Sequence, residues 1–239
     1  MMDDLRHIRV GLEEGGDGML MAHALNLPGC VAIGASPEEA MKEFERSLAL
    51  WLRFLSSIGE RVPAPDDEIQ VSVDEWIATD ARVGGAVSTA LFEADLAPLL
   101  QDEAELGVRR LGDIRGLLLA RVRRRRNLNL DVPAPMTSAT VRQVLEDLAR
   151  SQWLLLSRLG ASPMAGAPDH TLARLDTAAA LVVDRMTTLP DEARGRRLEL
   201  DGEEWTPRKV LRRLLGLEWT LVVIALAGLE AAEAENAAS

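Results

Sequence analysis

The 239-residue sequence predicts an α+β module of ββ(β)αβ order followed by an all-α four-helix bundle. Three observations carry this reading. The stretch 1–75 holds short apolar–polar alternations, glycine turns and one helical stripe. From about Asp95 onward the apolar residues repeat at the helical period alone. Between the two lies a stretch of small residues around Gly84-Gly85, which reads as a linker. The expected division is 1–76 for the α+β module, 77–94 for the linker, 95–232 for the bundle and 233–239 for a frayed tail.

In the first half, Ile8 to Leu12 alternates about Val10 and reads as a strand. Gly15-Gly16-Asp17-Gly18 reads as a reversal, because glycine supplies the positive φ that tight turns need. A loop that cradles phosphate would lead into a helix carrying Lys and Ser/Thr, whereas here a strand, Met19 to Ala24, follows. Leu27-Pro28-Gly29 turns the chain again into a short third strand, Val31 to Ile33. Ser36-Pro37-Glu38-Glu39 opens a helix, with Ser36 as cap, Pro37 at the first helical position and Glu39 closing a capping box. Ala40, Met41, Phe44, Leu48, Trp51, Leu52, Leu55 and Ile58 form its inward stripe, and Gly59 ends it. Ile69, Val71 and Val73 alternate as a fourth strand. Asp74 to Thr79 reads equally as a helical turn or as irregular chain.

In the second half, Asp95 is a candidate cap and Pro98 suits a first turn. Leu111, Ile114, Leu118 and Val122 give the first helix its face. Thr137 or Ser138 is expected to cap the second, with Val141, Val144, Leu145, Leu148, Leu155 and Leu159 inward. Leu172, Leu175, Ala179, Val182 and Met186 mark the third, stopped by Pro190. Thr206-Pro207 starts the fourth, with Leu211, Leu214, Leu221 and Ile224 inward. Four helices with connections of roughly 8 to 16 residues imply a bundle. Residues 140–153 and 206–219 share the pattern T-x3-V-L-x2-L-x4-W, which makes the second and fourth helices pseudo-equivalent.

Composition excludes several classes. A net charge of −11 and a pI near 4.9 lack the basic footprint that nucleic-acid binders use to displace counterions. The one basic run, Arg121 to Arg126, has no interleaved aromatics to stack on bases. It reads as a helix C-terminal cluster or as a pairing surface for the acidic first half. No run approaches the ~18 uninterrupted apolar residues of a membrane span, and the start is acidic rather than signal-like. The single cysteine, Cys30, makes no internal disulfide, so a cytoplasmic location is expected. Cys30 reads as a buried structural residue. His7, His23 and His170 read as packed or exposed rather than catalytic. The carboxylate pairs Glu13-Glu14, Asp66-Asp67 and Glu203-Glu204 read as solvated, because adjacent residues point apart and do not form an acid–base pair.

Leu27-Pro28-Gly29-Cys30-Val31, Gly34 and Ser36-Pro37-Glu38-Glu39-Ala40, with Gly59-Glu60 and Pro63-Ala64-Pro65 beyond, resemble the HicB-like antitoxin domain over about residues 6 to 75. The resemblance implies an incomplete RNase H-like fold without nuclease residues, whose usual role is to bind a small toxin. No helix-turn-helix or ribbon-helix-helix segment for operator binding accompanies it. The second half looks like a DinB-like bundle, on its two Thr-led helix starts, its Val-Leu-x-x-Leu stripes and Glu218. That resemblance implies a metal held by a histidine on the second helix and an HxxxH pair on the fourth. The matching positions are Asp147, Arg213 and Leu217, none a histidine, so neither metal nor other cofactor is expected. Asp147 and Arg213 occupy equivalent places in the repeat: if both point into one cavity they can pair where the metal would sit, and the alternative is that both face solvent. Glu218 shares the phase of Leu211, Leu214 and Leu221, so it is expected inside the bundle with an arginine as partner.

The function these readings favour is non-catalytic: protein interaction or regulation, with a protein partner or a second copy in a homodimer, and with nucleic acid and membrane not expected. The alternative is a small-ligand binder, or a DinB-like transferase or hydrolase, using the bundle cavity around Asp147, Arg213, Leu217 and Glu218.

Overall fold

Strands form where apolar and polar residues alternate beside glycine turns, and the computed structural model places four of them in one mixed sheet. It describes residues 3–64, 67–84, 89–123, 129–135, 137–160 and 168–238. The strands are β1 (His7–Glu14), β2 (Leu20–Ala24), β3 (Val31–Gly34) and β4 (Gln70–Ala78). Their order is β3-β2-β1-β4, with β4 parallel to β1 and the other pairs antiparallel. Helix α1 (Pro37–Ser57) connects β3 to β4 and packs on β3 and β2. Ser36 caps it by accepting from the Glu39 amide, as the sequence predicts. The segment Asp74–Thr79 resolves to strand, since β4 runs on to Ala78. A register shift puts Asp74 in a bulge between the pairs Val10–Val73 and Gly11–Glu75.

Two glycines are fixed by what packs on them. Gly29 sits at φ +119, and a Cβ there would lie 2.3 Å from the Trp51 ring, so the Leu-Pro-Gly-Cys turn needs glycine twice over. Gly11 lies under Phe92, whose Cε1 would be 2.5 Å from an added Cβ.

The helices that follow are α2 (Gln101–Arg123), α3 (Val141–Ser157), α4 (Thr171–Thr187) and α5 (Pro207–Ala238). A hairpin that the sequence reading missed, β5 (Leu198–Leu200) with β6 (Glu203–Trp205), precedes α5. Asp201 and Gly202, at φ 57 and 78, form its turn. The cap of α3 is Thr140, not Thr137 or Ser138. Its hydroxyl accepts from the Gln143 amide while the Gln143 side chain accepts from the Thr140 amide. Asp95 caps no long helix. It ends a 3-10 turn, Glu93–Asp95, and α2 begins only at Gln101. The tail expected to fray continues as helix to Ala238. By length and composition Pro207–Ala234 is apolar enough to cross a membrane, but half of that window is buried in the protein.

The contacts divide the chain differently from the contiguous boundaries expected. Met1–Leu99 joins Asp191–Gly216 in one compact unit, and Leu100–Pro190 joins Leu217–Ser239 in the other. The first unit is α+β and the second is helical. A segment that reads as the start of a bundle helix therefore completes the sheet unit. Its side chains find hydrogen-bond partners on β2, β6 and the 89–98 segment.

Candidate functional site

The sheet has two faces, and alternation assigns Ile8, Val10 and Leu12 to the one that α1 covers. Gly11, Glu13 and His23 lie on the other. The 89–95 segment and the first turns of α5 close over this second face and build a buried polar network. Glu13 Oε1 accepts from the amides of Thr89 and Ala90, at 2.8 and 3.2 Å. Its Oε2 lies 3.3 Å from His23 Nε2. Arg212 Nη1 lies 3.1 Å from His23 Nδ1. A guanidinium only donates, so Nδ1 is the acceptor and the imidazole proton sits on Nε2, donated to Glu13. Arg212 also grips Asp95 with two bonds of 2.9 and 2.7 Å, and its guanidinium lies 4.8 Å over the Phe92 ring. Asp95 in turn accepts from the Phe92 amide. Lys209 completes the cluster. Its ammonium donates to the carbonyls of Thr89 and Glu204 and lies 4.3 Å over the Trp205 ring. Burial lowers its pKa to about 8.

His23 is 1% exposed, and burial, with Arg212 and Arg213 adding to it, holds its pKa at about 4 against an ordinary 6.5. Between those values the unfolded chain binds a proton that the folded chain refuses, so stability rises with pH across the window. The expected result is a loss of about 3 kcal/mol as pH falls from 6.5 to 4. Urea unfolding at pH 7 and pH 4.5 measures it, and His23→Gln should flatten the difference between the two. An equally steep dependence in that variant would assign the effect elsewhere.

The second unit holds its own buried polar cluster. Glu218, on α5, accepts from Arg115 of α2 through both oxygens, at 2.6 and 2.9 Å, and from the Gln152 amide of α3 at 2.6 Å. Arg115 also donates to the Leu175 carbonyl of α4. One ion pair thus ties four helices. Gln152 and Glu218 are themselves equivalent positions of the repeat. The repeat does bring matching residues together, but not Asp147 and Arg213.

Asp147 is the first correction. It stands on the exposed side of α3 and pairs with Arg150 one turn later, at 3.0 Å. Arg213 is buried in the sheet unit, with Nη1 3.8 Å from the Met21 sulfur, and burial lowers its pKa to about 10. The Asp147–Arg213 pair does not form, because the two stripes present these positions to different surroundings. Leu217 is buried as an apolar residue. Glu13, expected to be solvated, is fully buried. Cys30 is buried too, and burial pushes its thiol pKa up. Asp66 and Arg124 to Arg126 lie outside the described residues. Arg121 meets Glu233 at 2.5 Å. Among the described residues no three of His, Cys, Asp and Glu are grouped to hold a metal. The residues that sequence reasoning missed are Glu13, Asp95, Lys209, Arg212, Arg115 and Gln152. Only the arginine partner of Glu218 left a sequence signal, in the demand of an inward carboxylate for a cation.

One apolar strip that stays open lies on β4. Val73 and Trp76 align with Val10 and Leu12 in the parallel pair, so they face the α1 side of the sheet. They remain 43% and 51% exposed because α1 sits over the opposite half. The Trp76 indole donates to Glu14. A groove of about 840 Å³ lies between α1 and the stretch 62–71 that leads into β4. Leu48, Ala49, Leu52, Ile69 and Val71 make it apolar, and Glu45, Arg53 and Asp67 line it as well.

No protein-family model matches the chain, and comparisons with curated proteins and with solved structures find no significant match. The class that the geometry defines is an α+β protein with a four-stranded mixed sheet and a helical second unit.

Proposed function

We propose that this chain is a non-catalytic protein-interaction or regulatory protein of the cytoplasm, with a HicB-like first module and a DinB-like four-helix bundle that serves as scaffold. The observation that carries the reading is the uncovered apolar strip of β4, Val73 and Trp76, on the α1 side of the sheet. Tryptophan is enriched among the anchor residues of protein interfaces. Two further features support it. The ionisable groups suited to chemistry, Glu13, His23, Asp95 and Glu218, are closed into hydrogen bonds away from solvent. The cavity alternative relies on Glu218, whose carboxylate is held by Arg115 and Gln152.

The test is photo-crosslinking in cells. Trp76→benzoylphenylalanine is expected to give a discrete adduct above the 26.1 kDa chain. The same replacement at Leu181, an exposed apolar residue of α4, is expected to give none. No adduct at 76, or the same adducts at both positions, would overturn the reading.

A further inference from the structure

We infer that residues 89–95 form a strap over the second face of the sheet, and that a proton on His23 releases it. Among the described residues, the strap's backbone-to-backbone bonds stay within its own 3-10 turn, from Asp95 to Phe92 and from Leu96 to Glu93. The bonds that tie it to the sheet and to α5 come from side chains. Glu13 of β1 accepts from the Thr89 and Ala90 amides. Glu75 of β4 accepts from the Glu93 amide at 2.8 Å. From α5, Lys209 donates to the Thr89 carbonyl, and Arg212 donates to the Ala90 carbonyl and grips Asp95. Thr206 donates to the Asp95 carbonyl at 2.7 Å. Phe92 lies against Gly11, with its ring centre 5.5 Å from that of His23.

His23 is the joint of these anchors. Its ring meets Glu13 of β1 through Nε2, Arg212 of α5 through Nδ1 and Phe92 of the strap, while Arg213 of α5 adds a second positive charge. A second ring proton goes to Nδ1, 3.1 Å from Arg212 Nη1, and sets a donor against a donor. Two cations then lie side by side away from water, where their repulsion is strong. Arg212 holds Asp95 and Ala90 at the same time, so its withdrawal from Nδ1 strains or breaks the strap's anchors. Release bares Leu25, Ala90 and Phe92, the apolar cluster that Ile77 borders. Lys209 gains charge as pH falls and holds Thr89 more firmly, which excludes it as the acid trigger. Protonation of Glu13, Glu75 or Asp95 would act in the same direction as that of His23, and a variant separates the two.

The test is hydrogen exchange on the full chain, because local opening exposes the strap's amides while β1 stays folded. The ring titrates at about 4 beneath the strap and at its ordinary 6.5 once released, so the opening constant should rise about twentyfold between pH 7 and pH 5. After correction for intrinsic exchange rates, the bonded amides of 89–95 are expected to lose protection by that factor. At pH 5 they should also exchange at least about tenfold ahead of those of β1. His23→Gln can still donate to Glu13 and accept from Arg212 but does not titrate, so its strap should exchange alike at both pH values. A check that needs no variant follows the His23 ring nitrogens by NMR. Strap exchange should level off at the pH where that ring titrates. Strap protection that is indifferent to pH, or a common rate for strap and β1, would overturn the inference. So would a level-off away from the ring's titration. Acid release that survives in His23→Gln would assign it to the carboxylates instead and refute the role of His23.

Discussion

Arg212→Met is expected to cost about 3–5 kcal/mol of unfolding free energy. Arg212 is the hub of the sheet unit's second face. It holds Asp95 with two bonds, donates to His23 and packs over Phe92. Methionine keeps much of the apolar stem but leaves the Asp95 carboxylate, 1% exposed, without its cation. A charge buried without its partner costs far more than the intact pair contributes. Guanidinium denaturation at pH 7 measures the loss. In an Asp95→Asn background the same replacement should cost much less, because no net charge is stranded. A loss below about 1 kcal/mol in the wild-type background would mean that water reaches Asp95 and that the network is a surface one.

Glu218→Leu is expected to have an effect of the same size on the helical unit, about 3–5 kcal/mol, because it strands the buried Arg115 guanidinium. The informative comparison is Arg115→Met with Glu218→Leu together. Removing both charges leaves only the Gln152 amide and the Leu175 carbonyl to satisfy, so the double variant should recover most of the loss. A thermodynamic cycle over the four proteins isolates the pair. Additive losses would show that the ion pair is not the unit that holds the four helices.

Local structure was largely legible. The Ser36 cap, the α1 stripe and the Thr206-Pro207 start of α5 follow from short-range rules, because capping and turn geometry depend on a few neighbouring residues. The β5–β6 hairpin also has a local signal. Leu198-Glu199-Leu200 and Glu203-Glu204-Trp205 flank Asp201-Gly202, a strong hairpin signal that the helical pattern around it obscured. Asp95 was misread for the opposite reason. An aspartate ahead of a proline and an apolar run looks like a cap, yet its side chain is taken by Arg212, far along the chain.

What the sequence determined by itself is the succession of elements, the α+β then helical character, the absence of a basic footprint and the inward place of Glu218. Periodicity and caps encode these locally. What only the tertiary structure decided is which stripe meets which. Arg212 and His23, distant in sequence, become partners because the first turns of α5 lie on the sheet rather than in a bundle. Arg213 goes with them, so a pair with Asp147 gives way to Gln152–Glu218, further along the same repeat. A helical stripe states that a face is buried. The partner is set by packing between distant segments, and no local pattern records it.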